Sequence, residues 1–303
     1  MTTFRSNGKL LLTAEYVVLD GAMALALPTK LGQDLTIEPN EKNTLIWRSI
    51  HENGNTWFES EFSLDEIAKM QTPSNPISKR LLEILISAKQ LNPNFLIANN
   101  GFSVTTKLDF PHNWGLGSSS TLINNIANWA NINPYDLLEL TFGGSGYDIA
   151  CARFNNPIIY SKNPIDNSRI INEVNFNPSF KDELFFIHLN QKQDSREGIK
   201  RYNQVKNNLS STILEINTIT KHIIDCDSLS EFKKHITKHE DIISSLINLP
   251  TVKTSLFNNY QGAIKSLGAW GGDFILATGS QNDMDYFKQK GYSTIISYSD
   301  MIL

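Results

Sequence analysis

The stretch Pro111-His112-Asn113-Trp114-Gly115-Leu116-Gly117-Ser118-Ser119-Ser120 joins a run of strand character to a run of helix character, and the reading of the chain turns on it. Residues 102–108 before it read as a strand; after it, Leu122, Ile123, Ile126, Ala127 and Ala130 recur at helical spacing. Two glycines let the backbone turn sharply, and three hydroxyls follow at the helix start. The N–H groups of a helix's first turn have no partner within the helix, and its dipole favours an anion there. Such a corner holds phosphate, and its hydroxyls donate to phosphate or ligate Mg²⁺. No lysine precedes the serines, so this is not a Walker A loop. Alone, the pattern fits a serine-capped helix after a glycine turn equally well.

Three further segments carry charge or glycine in unusual settings. Residues 8–21, Gly-Lys-Leu-Leu-Leu-Thr-Ala-Glu-Tyr-Val-Val-Leu-Asp-Gly, place Lys9 and Glu15 in an otherwise apolar hairpin. Near a site, Lys9 is a fixed positive charge for a phosphate or a developing alkoxide, and Glu15 meets a ribose, a substrate hydroxyl or Lys9 itself; the plain alternative is a hairpin with solvent-facing charges. Residues 142–152, Phe-Gly-Gly-Ser-Gly-Tyr-Asp-Ile-Ala-Cys-Ala, set Asp148 between a flexible turn and a small apolar run. Asp148 either accepts the proton of an attacking hydroxyl, or holds a cation, or only complements the dipole of the helix it opens. Residues 266–277, Ser-Leu-Gly-Ala-Trp-Gly-Gly-Asp-Phe-Ile-Leu-Ala, either admit a ligand close to the backbone or form a plain glycine hairpin.

In order and spacing the four segments resemble the GHMP kinase superfamily, which includes galactokinase, homoserine kinase, mevalonate kinase and phosphomevalonate kinase. Residues 9–26 look like its first motif, Gly-Lys-apolar-Gly-Glu-His/Tyr, and 111–120 like its Pro-x-x-x-Gly-Leu-Gly-Ser-Ser phosphate loop. Residues 145–150 look like its Ser-Gly-x-Asp segment and 267–276 like its Gly-Ala-Gly-Gly-Gly third motif. Glu15-Tyr16 and residues 144–148 are most similar to the mevalonate and phosphomevalonate kinase branch. The resemblance implies an α+β chain with a two-lobed GHMP kinase-like fold. Residues 1–170 would form a ribosomal protein S5-like lobe with the phosphate loop and catalytic Asp, and 171–303 a ferredoxin-like lobe with the third glycine motif and a substrate loop.

It further implies ATP and Mg²⁺ as cofactors, with Gly115, Leu116, Gly117, Ser118, Ser119 and Ser120 around the ATP phosphates and Ser119 on the metal. Asp148 is then the base, and Lys9 lowers the pKa of the attacking hydroxyl and steadies Asp148. The substrate side falls to Glu15, Tyr16, Ser145, Gly146, Gly268, Ala269, Gly271 and Gly272. Lys192, Ser195 and Arg196 stand where phosphomevalonate kinases carry a substrate loop; they bind an acidic substrate or are a solvated helix start. Residues 9, 119 and 148 are expected to converge on one terminal phosphate. The implied reaction is phosphoryl transfer from ATP to a small-molecule hydroxyl or phosphate, foremost mevalonate or phosphomevalonate in isoprenoid precursor synthesis. The alternatives are a GHMP kinase for another alcohol or sugar, and a nucleotide-binding sensor without transfer.

Three positions depart from the pattern: Ala14 replaces a Gly, Ser120 stands where Ala is common, and Trp270 replaces a Gly of the third motif. An indole beside the phosphates would narrow the acceptor pocket. Mevalonate kinases place a metal-binding Glu ahead of the catalytic Asp; here Glu139 is the candidate, and without it Mg²⁺ depends on Ser119, ATP oxygens and water. His235 and His239 have no HExxH pattern and are expected to be an exposed pair.

Working outward, the apolar runs 9–12, 16–19, 24–27, 34–37, 44–47 and 57–62 read as strands of an antiparallel sheet, and 76–89 and 134–140 as helices. The Asn- and Pro-rich stretch 155–180 breaks the periodicity and marks a domain boundary near 165–180. Beyond it, 184–189, 273–277 and 294–296 read as strands, and 195–206, 210–224, 229–249 and 283–290 as helices. A length of 303 residues suits two domains. With 27 Lys/Arg against 31 Asp/Glu and no basic stripe, nucleic acid is not an expected partner. The start of the chain lacks a signal-peptide pattern and no apolar run is long enough to span a bilayer, which places the protein in the cytoplasm, away from membranes. Cys151 and Cys226 suggest neither a disulfide nor a zinc site. The expected partner is a small-molecule substrate, and the protein a monomer or homodimer.

Overall fold

The computed structural model describes residues 1–69, 73–97, 101–193 and 195–303, the side chains of Glu66, Ala68, Lys69 and Ser195 excepted. The chain divides into two compact units, and the division is not a single cut. The first comprises Met1–Gly8, Leu31–His112 and Leu116–Arg153; the second comprises Lys9–Lys30, Asn113–Gly115 and Phe154–Leu303. The boundary expected after residue 170 falls inside the second unit.

The first unit takes the opening of β1 (Thr2–Leu11) and the later part of β2 (Ala24–Asn40), followed by β3 (Thr44–Ile50) and β4 (Thr56–Ser63). After α1 (Leu64–Lys69) and α2 (Pro76–Leu91), β5 (Gly101–Leu108) inserts between β2 and β3, antiparallel to the first and parallel to the second. The runs 24–27 and 34–37 belong to one strand, not two. Gly32 lies between them because β1 passes so close that a Cβ would meet the Ser6 carbonyl oxygen at 2.4 Å. Helix α2 starts as its sequence dictates: Asn75 accepts the N–H groups of Ile77 and Ser78, and Pro76 occupies the first turn. Its buried face is Leu81, Leu82, Ile84, Leu85 and Ala88.

Helix α3 (Ser118–Ala130) buries Ile123, Ile126, Ala127 and Ala130, as the spacing predicts, and also Asn124 and Asn125. These amides are hydrogen-bonded: Ser6 Oγ donates to Asn125 Oδ1 at 2.7 Å, and Asn124 Nδ2 donates to Ser6 Oγ at 2.9 Å. Asn125 Nδ2 donates to the Gln33 carbonyl at 2.9 Å, and Thr121 Oγ1 to Gln33 Oε1 at 2.8 Å. Each such buried bond contributes about 1 kcal/mol net, and losing one partner costs more than that, so the network fixes the register of α3 on β1 and β2. Helices α4 (Pro134–Thr141) and α5 (Tyr147–Arg153) complete this unit.

In the second unit, β6 (Ile158–Lys162) pairs antiparallel with the start of β2 and with β7 (Arg169–Glu173). Strand β8 (Leu184–His188) is followed by α6 (Ser195–Val205), α7 (Ser210–Ile224), α8 (Leu229–Ile247), α9 (Val252–Leu256) and the strands β9 (Ile264–Leu267) and β10 (Phe274–Thr278). Helix α10 (Asp285–Gln289), β11 (Ile295–Ser297) and α11 (Tyr298–Met301) end the chain. The sheet runs β11-β8-β10-β9, antiparallel throughout. Every residue of β8, β9 and β10 is buried; β8 and β10 therefore read as near-continuous apolar runs, while β9, Ile-Lys-Ser-Leu, does not. One face packs Phe185, Ile187, Ile275 and Ala277 against Phe257 and Phe287.

Residues 16–19 do not form the expected strand. Ala14 and Tyr16 both have positive φ, 68° and 64°, and the chain reverses into a short 3-10 helix, Val17–Asp20. Among the described residues no helix is long and apolar enough to cross a membrane.

Candidate active site

The start of α3 carries no side-chain cap at its N-cap residue, Gly117, which lies in the left-handed region at φ 93°. Ser120 turns its hydroxyl back to the Gly117 carbonyl at 2.8 Å and is buried, whereas Ser119 is exposed and Ser118 half-buried. Of the three hydroxyls, Ser119 is therefore the one open to solvent. In the same unit, Asp148 is half-buried in the first turn of α5, its Oδ1 accepting the Ile149 N–H at 3.0 Å, and Ser145 and Gly146 are buried just ahead of it. Glu139 is exposed on α4. Among the described residues, no three His, Cys, Asp or Glu side chains gather as a metal site.

The second unit brings the first and third glycine-containing motifs together around Gly115. The Lys9 ammonium, half-buried at the end of β1, donates to the Gly115 carbonyl at 2.8 Å. On its other side Gly115, at φ 67°, lies against Asp273: a Cβ there would be 2.2 Å from Asp273 Cγ. A Cβ on Gly268 would meet Lys9 Nζ at 3.9 Å and Asp273 Oδ2 at 4.0 Å. The loop after β8 covers this corner, since Asp273 N–H donates to the Gln191 carbonyl at 3.1 Å and Gln193 N–H to Asp273 Oδ1 at 3.4 Å. Burial raises the Asp273 pKa against the opposing charges of Lys9, Lys192 and His188. Lys192 and Arg196 are exposed in and beyond this loop; Asp194 and the side chain of Ser195 lie outside the described residues.

Glu15 turns inward. It is 1% exposed, and its carboxylate pairs with the buried Lys265. Lys265 also meets Glu240 Oε1 at 3.0 Å, and Ser266 Oγ donates to Glu240 Oε2 at 3.0 Å. The expected options for Glu15, a ribose, a substrate hydroxyl or Lys9, give way to a lysine 250 residues distant that no motif marked. Burial pushes the Glu15 pKa up to about 7, with Lys265 opposing and Glu240 adding to the rise. Burial would lower the Lys265 pKa, but the two carboxylates outweigh it and raise it.

His239 belongs to the same cluster and corrects the expectation of an exposed pair. It is fully buried on α8, and Nε2 accepts the Ala14 N–H at 2.8 Å. Burial, reinforced by Lys265, holds its pKa well below the ordinary value, so the ring is neutral with its proton on Nδ1. That bond anchors the strained turn at Ala14. His235 instead faces His222 across the α7–α8 groove, ring centroids 5.1 Å apart. This groove, about 480 Å³, holds none of the site residues expected from sequence.

Tyr16 joins the turn to the third motif. Its hydroxyl accepts the Trp270 N–H at 3.0 Å, and its ring stacks on Tyr202, centroids 5.7 Å apart. Tyr202 in turn donates to Asp20 at 2.6 Å. The Trp270 indole is 6% exposed and its Nε1–H donates to the Pro250 carbonyl at 2.9 Å. It is packed into the protein. Ala269 and Gly272 are buried, while Gly271 is half-buried with open space where a Cβ would be.

No protein-family model and no curated protein sequence matches the chain. Solved structures match over nearly its whole length. Methanococcus jannaschii mevalonate kinase is 16% identical with a TM-score of 0.73, over 97% of this chain and 96% of that one. Streptococcus pneumoniae phosphomevalonate kinase, in complex with phosphomevalonate and AMPPNP, is 15% identical with a TM-score of 0.71, over 98% and 100%. Lactococcus lactis galactokinase, complexed with galactose, is 14% identical with a TM-score of 0.63, over 97% and 92%. The fold of this chain is thus the one these GHMP kinases share.

Proposed function

We propose that the protein is an ATP-dependent small-molecule kinase whose acceptor is mevalonate or phosphomevalonate. The observation that carries this reading is the Lys9 ammonium seated 2.8 Å from the Gly115 carbonyl, where the first motif, residues 113–115 of the phosphate loop and the third motif meet within the second unit. The residues present fit the groups the reaction requires. The first turn of α3, uncapped by any side chain, suits phosphate, and the exposed Ser119 hydroxyl suits Mg²⁺. With no cluster of three ligands in the described residues, the cation would rely on Ser119, nucleotide oxygens and water, and Glu139 is the protein carboxylate that could join them. ATP supplies the transferable phosphoryl group, and Mg²⁺ offsets its charge.

The chain's own residues then position and neutralise. Where the acceptor is a hydroxyl, Asp148 takes its proton; for a hydroxyl or a phosphate acceptor, Lys9 offsets the charge on the attacking oxygen. Ser145, Gly146, Gly268, Ala269, Gly271 and Gly272 border the acceptor, and Lys192, Ser195 and Arg196 bind an acidic one. Glu15 acts inside the protein, holding the turn that carries Tyr16. The reading is tested with purified protein, Mg·ATP and a panel of mevalonate, phosphomevalonate, homoserine and simple sugars. ADP release above the Asp148→Ala control is expected with mevalonate or phosphomevalonate. Turnover with a sugar alone would reassign the acceptor, and nucleotide binding without turnover on any compound would make the protein a sensor.

A further inference from the structure

We infer that Asp273 is a positioning residue for Lys9, its carboxylate, seated on Gly115, holding the lysine ammonium in place at the phosphate-loop carbonyl. The inference deepens the reading of Lys9 as the charge that assists transfer, and rests on it. Gly115 is gripped on two sides: its carbonyl accepts from Lys9 Nζ at 2.8 Å, and its α-carbon is so close to Asp273 that a methyl would lie 2.2 Å from Cγ. The two charges also flank the α-carbon of Gly268. Asp273 itself is pinned. Its N–H donates to the Gln191 carbonyl at 3.1 Å, its carbonyl accepts the Leu189 N–H at 2.8 Å, and Oδ1 accepts the Gln193 N–H at 3.4 Å. The charged and titratable groups facing it are Lys9 from β1, Lys192 from the loop after β8 and His188 from β8. With its backbone held from both sides and Oδ1 on the Gln193 N–H, the carboxylate lies against Gly115.

Asp273 has φ 54°, a conformation that Asp, Asn and Gly tolerate. A residue needed only for that conformation would be replaced best by Gly; a residue needed for charge would be replaced by neither Gly nor Asn. The full-length protein and its Asp273→Asn and Asp273→Gly variants are acetylated in trace amounts across a pH series, and the reactivity of each lysine is read by peptide mass spectrometry. Loss of an adjacent carboxylate is expected to lower the apparent pKa of Lys9 by about 0.5 unit or more in both variants, with Lys206 unchanged as the internal reference. In turnover assays kcat is expected to fall by about tenfold or more while KM for ATP holds, the pattern of a group acting in the transition state. An unshifted Lys9 in either folded variant, or wild-type kcat in Asp273→Gly, overturns the inference. A shifted Lys9 in a protein that transfers no phosphoryl group sustains the coupling and removes the kinase reading.

Discussion

Replacing Lys265 by methionine would leave two carboxylates in the second unit's core without their shared cation. Glu15 and Glu240 are 1% and 2% exposed, so neither can turn to water. With the lysine present, the Glu15 pKa already stands at about 7. Breaking a buried ion pair by removing one partner costs about 3–5 kcal/mol. Here the cost depends on pH in a defined direction. A carboxyl whose folded pKa is raised holds a proton that the unfolded chain releases above about 4.5, so stability falls as pH rises through that window, by about 1.4 kcal/mol per pH unit per proton. Wild type is expected to follow this slope for Glu15 up to about pH 7. In Lys265→Met both acids must stay protonated, and the slope steepens and extends upward. Guanidinium denaturation should therefore show a loss of about 3–5 kcal/mol at pH 8 that shrinks below about 2 kcal/mol at pH 5. Adding Glu15→Gln and Glu240→Gln should restore much of it. An equal loss at both pH values would mean that packing, not stranded charge, sets the cost, and the account of the cluster would fail.

The other expectations concern neighbours of that cluster. His239→Ala orphans the Ala14 N–H and should cost about 1–3 kcal/mol more than His239→Gln, whose amide oxygen can accept it; equal denaturation midpoints would refute the role of that bond. Because its folded pKa is depressed, His239 contributes stability that is present above about pH 6.5 and lost on acidification, and the His239→Gln variant should lack that acid loss in the same titration. Trp270→Gly removes a buried indole and its bond to Pro250, so a loss of about 3–5 kcal/mol with unchanged acceptor preference is expected; a broadened preference would place the indole in the acceptor pocket after all.

The sequence showed what local chemistry encodes. The Gly-Leu-Gly-Ser-Ser-Ser corner, the period of α3 and the apolar runs of β8 and β10 depend on neighbours within a few residues, and the structure follows them. Lys265 was invisible because a lysine between Ile264 and Ser266 reads as a strand residue facing water; only its pairing with Glu15 and Glu240, from two other elements, accounts for its burial. His239 was misread for the same reason, since helical spacing tied it to His235 while its partner is a backbone N–H at Ala14. The run 16–19 was legible as apolar but not as curved, because the reversal at Ala14 and Tyr16 is held from outside the segment. The runs 24–27 and 34–37 were legible as strands but not as one strand, because the residues between them, Gly32 among them, are held extended by neighbouring chain. That the Trp270 indole is buried and bonded to Pro250 was not legible, because the motif supplies only a position, not the direction in which the ring leaves the backbone.

The patchwork make-up of the second unit has a consequence for how the molecule is made. Its residues Lys9–Lys30 leave the ribosome long before the rest of the unit, since the lysine that pairs with Glu15 is translated 250 residues later. Until then Glu15 must wait without its counter-ion, and a fragment beginning at residue 154 would lack the segment altogether. Closure over so long a loop belongs to the slow class of folding events, so the completion of this unit, rather than helix formation, should set the pace of maturation in the cell.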